Sequence, residues 1–114
     1  MLASVDVAGG VPTIIDTSAQ SPVVIGIEQF LLEEPVLKLR VHLGASLFVD
    51  IFLNAETGKT SFALIKDGQR IFGVDNTRGW HLHPFANPER HCPRDEMSFA
   101  SFLWQVEENR ARWA

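Results

Sequence analysis

Cysteine is almost missing from this chain: one residue in 114, Cys92. An intrachain disulfide is therefore excluded, and a reducing compartment is the expected home. No apolar run approaches the roughly 18 residues that a membrane-spanning helix needs. The opening stretch MLASVDVAGG has no positive residue and contains Asp6, so it makes a poor signal peptide. Repeats and low-complexity tracts are absent as well. Together these absences predict a soluble, cytoplasmic protein with no membrane association.

Basic residues are missing from the first 35 positions, which carry a net charge of −5. Residues 36–94 carry +3 and residues 95–114 carry −2, for a total of −4. That balance argues against wholesale nucleic-acid binding. A mildly basic middle between acidic ends is compatible with local RNA binding, and equally with ordinary surface variation.

What is present is globular. Hydrophobic residues make up 46% and charged residues 21%, the composition of a folded domain. The length fits one domain with a sizeable core. Residues 1–22 contain GGVP and SAQSP and read as a loosely held arm with at most one short strand. The domain proper spans 23–114. VVIGIEQFLL (23–32) reads as a strand, with a short helix as the alternative. VLKLRVHL (36–43) alternates: Leu37, Leu39, Val41 and Leu43 face one way, Lys38, Arg40 and His42 the other. LFVDIFLN (47–54) alternates likewise.

The register between these two strands follows from burial. A two-residue loop at Gly44-Ala45 mixes polar and apolar residues on both faces. A three-residue loop, Gly44 to Ser46, sets Leu43 against Leu47, Val41 against Val49 and Leu39 against Ile51, with Arg40 facing Asp50. A slip of one residue flips every side chain, so the pattern selects the second arrangement, although Gly44 suits a tighter turn. Further on, SFALIK and RIFGVD flank Asp67-Gly68, the signature of a type I′ hairpin. Near the end Phe99, Phe102, Leu103, Val106 and Trp113 lie close to one helical stripe. Asp95 or Ser98 would cap that helix. The predicted fold is α+β: a curved antiparallel sheet, a meander of four to five strands, covered by a C-terminal helix.

Between the last predicted strand and the helix lies NTRGWHLHPFANPERHCPR, residues 76–94. A connection of this length is often functional. It holds three of the four histidines and the cysteine, and Pro84, Pro88 and Pro93 stiffen it. Three readings compete. His81, His83, His91 and Cys92 could bind a metal such as zinc, though their spacing matches no strong zinc motif. Alternatively, the histidines could transfer protons at an RNA phosphodiester with no metal or cofactor. Arg70, Arg78, Arg90 and Arg94 would then hold phosphate, and Trp80 and Phe85 would stack on bases. The third reading is structural: histidines bonded to backbone, aromatics plugging the sheet, Asp75 serving a turn, Cys92 a small packed residue.

ALIKDGQRIFGVDNTRGWHLHPFANPERH (63–91) resembles the signature region of the TumE-like family, toxins of bacterial and archaeal toxin–antitoxin pairs. The resemblance rests on Arg70, Phe72, Asp75, Asn76, His81, His83 and His91, and spans roughly 36–104. Gly73 stands where some members carry a further arginine, which implies weaker phosphate binding there. The resemblance implies a toxin acting on RNA or translation, with a small helix-turn-helix antitoxin as its partner. On that expectation the protein is a metal-independent ribonuclease or RNA-directed inhibitor. Its catalytic candidates are His81, His83, His91 and Asp75, and its substrate-binding candidates are Arg70, Arg78, Trp80 and Arg90. The alternative is a non-enzymatic interaction protein whose His-rich loop binds a metal or a protein partner.

Overall fold

A computed structural model of the chain describes residues 7–114. The elements run α1 (Val7–Ala19), β1 (Gly26–Glu33), β2 (Val36–Gly44), β3 (Leu47–Asn54), β4 (Thr60–Lys66), β5 (Gln69–Asp75), β6 (His81–His83), β7 (Cys92–Pro93) and α2 (Phe99–Glu108). A single 3₁₀ turn, Arg110–Arg112, follows. The strands make one open antiparallel sheet in sequence order, β1 to β7. The fold is α+β with a C-terminal helix, as expected. No helix among the described residues is long and apolar enough to cross a membrane.

Two expectations need correction. The sheet has seven strands rather than four or five. Both additional strands, β6 and β7, arise inside the segment 76–94 that reads as a loop. They are three and two residues long, too short to leave an alternation in the sequence. The second correction concerns the arm. Residues 1–6 of it lie outside the described residues, but Val7–Ala19 form a helix. Gly9, Gly10 and Pro12 speak against a helix locally. Tertiary burial overrides them: Ile14 is 3% exposed, and α1 packs against α2. The strand over 23–32 is present as β1, a free edge of the sheet that is exposed along most of its length.

The β2–β3 register is the predicted one: Leu39 faces Ile51, Arg40 faces Asp50 and Val41 faces Val49. Near the turn the chain does something that neither loop length anticipates. Gly44, not Leu43, pairs with Leu47. Leu43 becomes a bulge, and Ala45-Ser46 form a two-residue turn. One extra residue in β2 satisfies both the burial pattern and the turn chemistry. The Asp67-Gly68 turn has φ of 51° and 81°, the pair of positive angles a type I′ turn requires.

Alternation sorts the sheet into two faces. One carries Leu37, Leu39, Val41, Val49, Ile51, Phe62, Leu64 and Val74, all buried. Helix α2 covers this face, capped by Ser98, whose Oγ accepts the Ser101 N–H. Its buried residues are Phe99, Phe102, Leu103 and Val106, with Phe102 ringed by Phe62 at 5.6 Å and Phe72 at 5.2 Å. The 3₁₀ turn then folds Trp113 back so that its indole N–H donates to the Val106 carbonyl at 2.8 Å. Among the described residues, no helix lies over the other face. At its β5–β6 end it carries Gly73 and Asp75, opposite His83 and His81 respectively. The histidines therefore stand on the side of the sheet away from the core helix.

Candidate functional site

The site is assembled by strand pairing. β6 lies antiparallel to β5, and this sets Asp75 directly beside His81. Residues two apart on a strand share a face, so His83 joins them. His91 immediately precedes β7, whose Cys92 pairs with Leu82. That pairing puts Cys92 on the face of Leu82, opposite the histidines, and His91 on theirs. The three imidazoles form a nearly equilateral group, with ring centroids 5.0, 4.7 and 4.6 Å apart.

Asp75 is the centre of the cluster. Its Oδ2 lies 3.1 Å from His83 Nε2, and its Oδ1 lies 3.3 Å from His81 Nε2. Oδ1 also accepts the Thr77 backbone N–H at 2.9 Å, and the Lys59 ammonium stands 4.0 Å away. Burial pushes the Asp75 carboxyl up. The Thr77 N–H, the His83 ring, the Thr77 hydroxyl and the charge of His81 outweigh it and hold the carboxyl below its usual range. Asp75 is therefore ionised and acts only as an acceptor.

The far nitrogens of the two strand histidines are also occupied. His81 Nδ1 faces the Gly79 carbonyl at 3.2 Å, and His83 Nδ1 faces the Pro88 carbonyl at 3.1 Å. A carbonyl oxygen can only accept, so both Nδ1 atoms carry hydrogen. Both Nε2 atoms then point at the Asp75 carboxylate. This orientation is set by backbone and by Asp75, and it aims both rings into one spot.

Arg70 completes the support. Its Nη2 donates to the same Pro88 carbonyl at 3.1 Å, so one backbone oxygen ties both Arg70 and His83 to the loop after β6. Pairing with β6 stops at Gly73, which leaves the start of β5 free for this loop. Gly73 has no Cβ for a reason: one would stand 3.1 Å from Arg70 Cδ and 3.2 Å from the Phe62 carbonyl. The Arg70 stem lies across that gap. Its Nε is buried and has no hydrogen-bond partner among the described residues.

Asp75, His81, His83, His91, Arg70, Arg78 and Trp80 all line one open cavity of about 560 Å³. Among the described residues its only acid is Asp75, set against two arginines. Arg78 reaches it from the turn before β6, where it adopts a left-handed φ of 57°, an uncommon conformation for a side-chain-bearing residue. The other predicted residues go elsewhere. Arg90 is exposed and does not line the cavity. Phe85 stacks on Phe72 at 4.3 Å and 7°, which makes it a core plug rather than a base platform. Cys92 stands outside the group of potential ligands, which comprises His81, His83 and His91. His83, though grouped with His81 in sequence, is 2% exposed and forms the inner wall of the cavity. Arg94 bonds to the Asp95 carbonyl.

Reasoning from sequence missed three contributors. Lys59 comes from the β3–β4 turn, and no local signal connects it to Asp75. Thr77, two residues after Asp75, is a readable Asx-turn partner. The Pro88 carbonyl is backbone and leaves no residue signature. Asn76, the second member of the Asp-Asn pair, holds the same neighbouring turn: Thr60 N–H donates to its Oδ1 at 2.9 Å and its Nδ2 donates to the Gly58 carbonyl at 2.8 Å.

No family model, curated protein or solved structure matches the chain.

Proposed function

We propose that the protein binds RNA in this cavity and cleaves it by acid–base chemistry without a metal, as the toxin of a toxin–antitoxin pair. The observation that carries the reading is the pairing of His81 with His91. These two imidazoles lie side by side at 4.7 Å in a cavity whose other charges are Asp75, Arg70 and Arg78. In-line cleavage places the attacking and leaving oxygens on opposite sides of phosphorus. A phosphate seated across the two rings presents one oxygen to each. His91 takes the 2′-hydroxyl proton as that oxygen attacks phosphorus. His81, exchanging its Nε2 contact with Asp75 for the departing 5′ oxygen, gives that oxygen a proton, leaving a 2′,3′-cyclic phosphate.

The remaining residues have distinct roles. Asp75 orients His81 through its Oδ1. His83 is a positioning residue that joins Asp75 to the Pro88 carbonyl. The unpartnered Arg70 Nε is a buried donor whose desolvation a phosphate oxygen would offset, and Arg78 adds a second cation. Trp80, half-buried at the cavity wall, offers a face for a base. The toxin role rests on the resemblance around residues 63–91, and a helix-turn-helix antitoxin is its proposed partner.

The test is direct. Purified protein should cut RNA in EDTA and leave cyclic phosphate ends. His91→Ala should reduce cleavage by a factor of roughly 10² or more, the scale of a lost general acid or base, with little change in stability. Induction without the antitoxin should arrest growth. If the wild-type protein neither cuts RNA nor slows growth, the reading is wrong.

A further inference from the structure

The same four side chains have a second chemistry. We propose that Asp75, His81, His83 and His91 form a site for one divalent transition ion of the zinc class, and that filling it shuts off the RNA chemistry. The inference rests on the ribonuclease reading for its regulatory half only. The binding half stands on geometry alone.

Three observations carry it. First, the ligand atoms of His81, His83 and His91 all lie within 4.8 Å of one another. Zinc–nitrogen bonds are about 2.0–2.1 Å, so the group must contract modestly. His91 is exposed and precedes β7, and it is the member placed to move inward. Second, the tautomers are already set. His81 and His83 present hydrogen at Nδ1 to the Gly79 and Pro88 carbonyls, which leaves Nε2 of each ring as the metal-binding atom. Backbone bonds of this kind orient histidine ligands in metal sites. Third, both Nε2 atoms converge on the two oxygens of the Asp75 carboxylate, at 3.3 Å for His81 and 3.1 Å for His83. One divalent ion can take those two nitrogens and a carboxylate oxygen together.

The donor set selects the metal. Imidazole nitrogens with one carboxylate suit Zn²⁺, Co²⁺, Ni²⁺ and Cu²⁺, whereas Mg²⁺ and Ca²⁺ want oxygen. Cys92 faces the other side of the sheet and contributes nothing. The core helix packs on the opposite face, so the ion is not a folding staple. Its consequence is functional: it occupies the lone pairs that cleavage needs.

The experiment uses full-length protein stripped with EDTA and desalted. Titration with Zn²⁺ alone, followed by calorimetry, should show one ion per chain. His81→Ala and His91→Ala should each weaken binding on the order of tenfold or more, whereas Cys92→Ser should leave it unchanged. Bound Co²⁺ should give visible ligand-field bands without a thiolate charge-transfer band. RNA cleavage by the wild-type protein should fall over the range of Zn²⁺ in which the site fills, and EDTA should restore it. Absence of stoichiometric binding, or unchanged binding in His91→Ala, overturns the site. One-to-one binding with undiminished cleavage overturns the regulatory half. Cleavage that requires Zn²⁺ overturns both the inhibition and the metal-free mechanism while leaving the site in place. Binding by a protein that never cleaves RNA keeps the site and removes the ribonuclease reading.

Discussion

Asp75 shows how much one side chain decides here. It sits 16% exposed between two imidazoles and a backbone N–H. Its carboxyl is held below its usual range in the folded state, so the ionised form favours the fold. That contribution is complete above the unfolded value, near pH 4, and is lost as pH falls through the lower folded value. Thermal melts of metal-free protein from pH 6 downward should therefore show a loss of Tm below about pH 4. Asp75→Asn should start lower at neutral pH and show a shallower acid slope. An unchanged slope would mean that other carboxylates dominate. Gly73 offers a second test. A Cβ there meets the Phe62 carbonyl at 3.2 Å and Arg70 Cδ at 3.1 Å. The carbonyl belongs to a paired strand and cannot yield cheaply. Gly73→Ala should cost roughly 1–3 kcal/mol in chemical denaturation and should displace Arg70 from the Pro88 carbonyl. Legibility at this scale was uneven. The residue types of the site were readable, because His81 and His83 two apart on an extended chain must share a face. That His83 is buried was not, because its cover is a loop carbonyl.

Among the elements, those with a period of their own were legible and those without one were not. β2 and β3 announce themselves by strict alternation, and α2 by its apolar stripe and Ser98 cap. The register survived a wrong turn length because burial of Leu39, Val41, Val49 and Ile51 outweighs the conformation of one turn. β6 and β7 were invisible because two or three residues cannot establish a period. They are strands only because β5 offers an edge to β6, and β6 offers one to β7. α1 failed for the opposite reason: local propensity pointed away from a helix, and burial of Ile14 decided otherwise. The dependence of α2 on the sheet can be measured. Phe102 is fully buried between Phe62 and Phe72. Phe102→Asp removes that aromatic packing and buries a charge. Replacing a core Phe by Ala already costs about 3–5 kcal/mol, and the charge adds to it. Urea denaturation should show a loss at least that large, or no cooperative transition at all. A near-normal midpoint would mean that α2 is not part of the core.

Across the whole molecule, the two faces of one sheet do different jobs. One is sealed by α2 and holds the apolar core. The other carries Asp75, His81, His83 and His91, with no helix over them among the described residues. The strands between are only one residue thick, yet alternation keeps the two sets of side chains from sharing contacts. This has a consequence for how the protein tolerates change. In a library of all single substitutions, scored once for cellular abundance and once for activity, most positions of an ordinary enzyme lose both together. Here the two scores should separate between the core-facing residues and the pair His81 and His91. Substitutions at Val74 and Leu82 should lower abundance, and activity only in proportion. Substitutions at His81 and His91 should leave abundance near the parental level while activity vanishes. A lineage carrying this protein can therefore silence it in one step and still keep a folded copy, from which a single reversion restores the site.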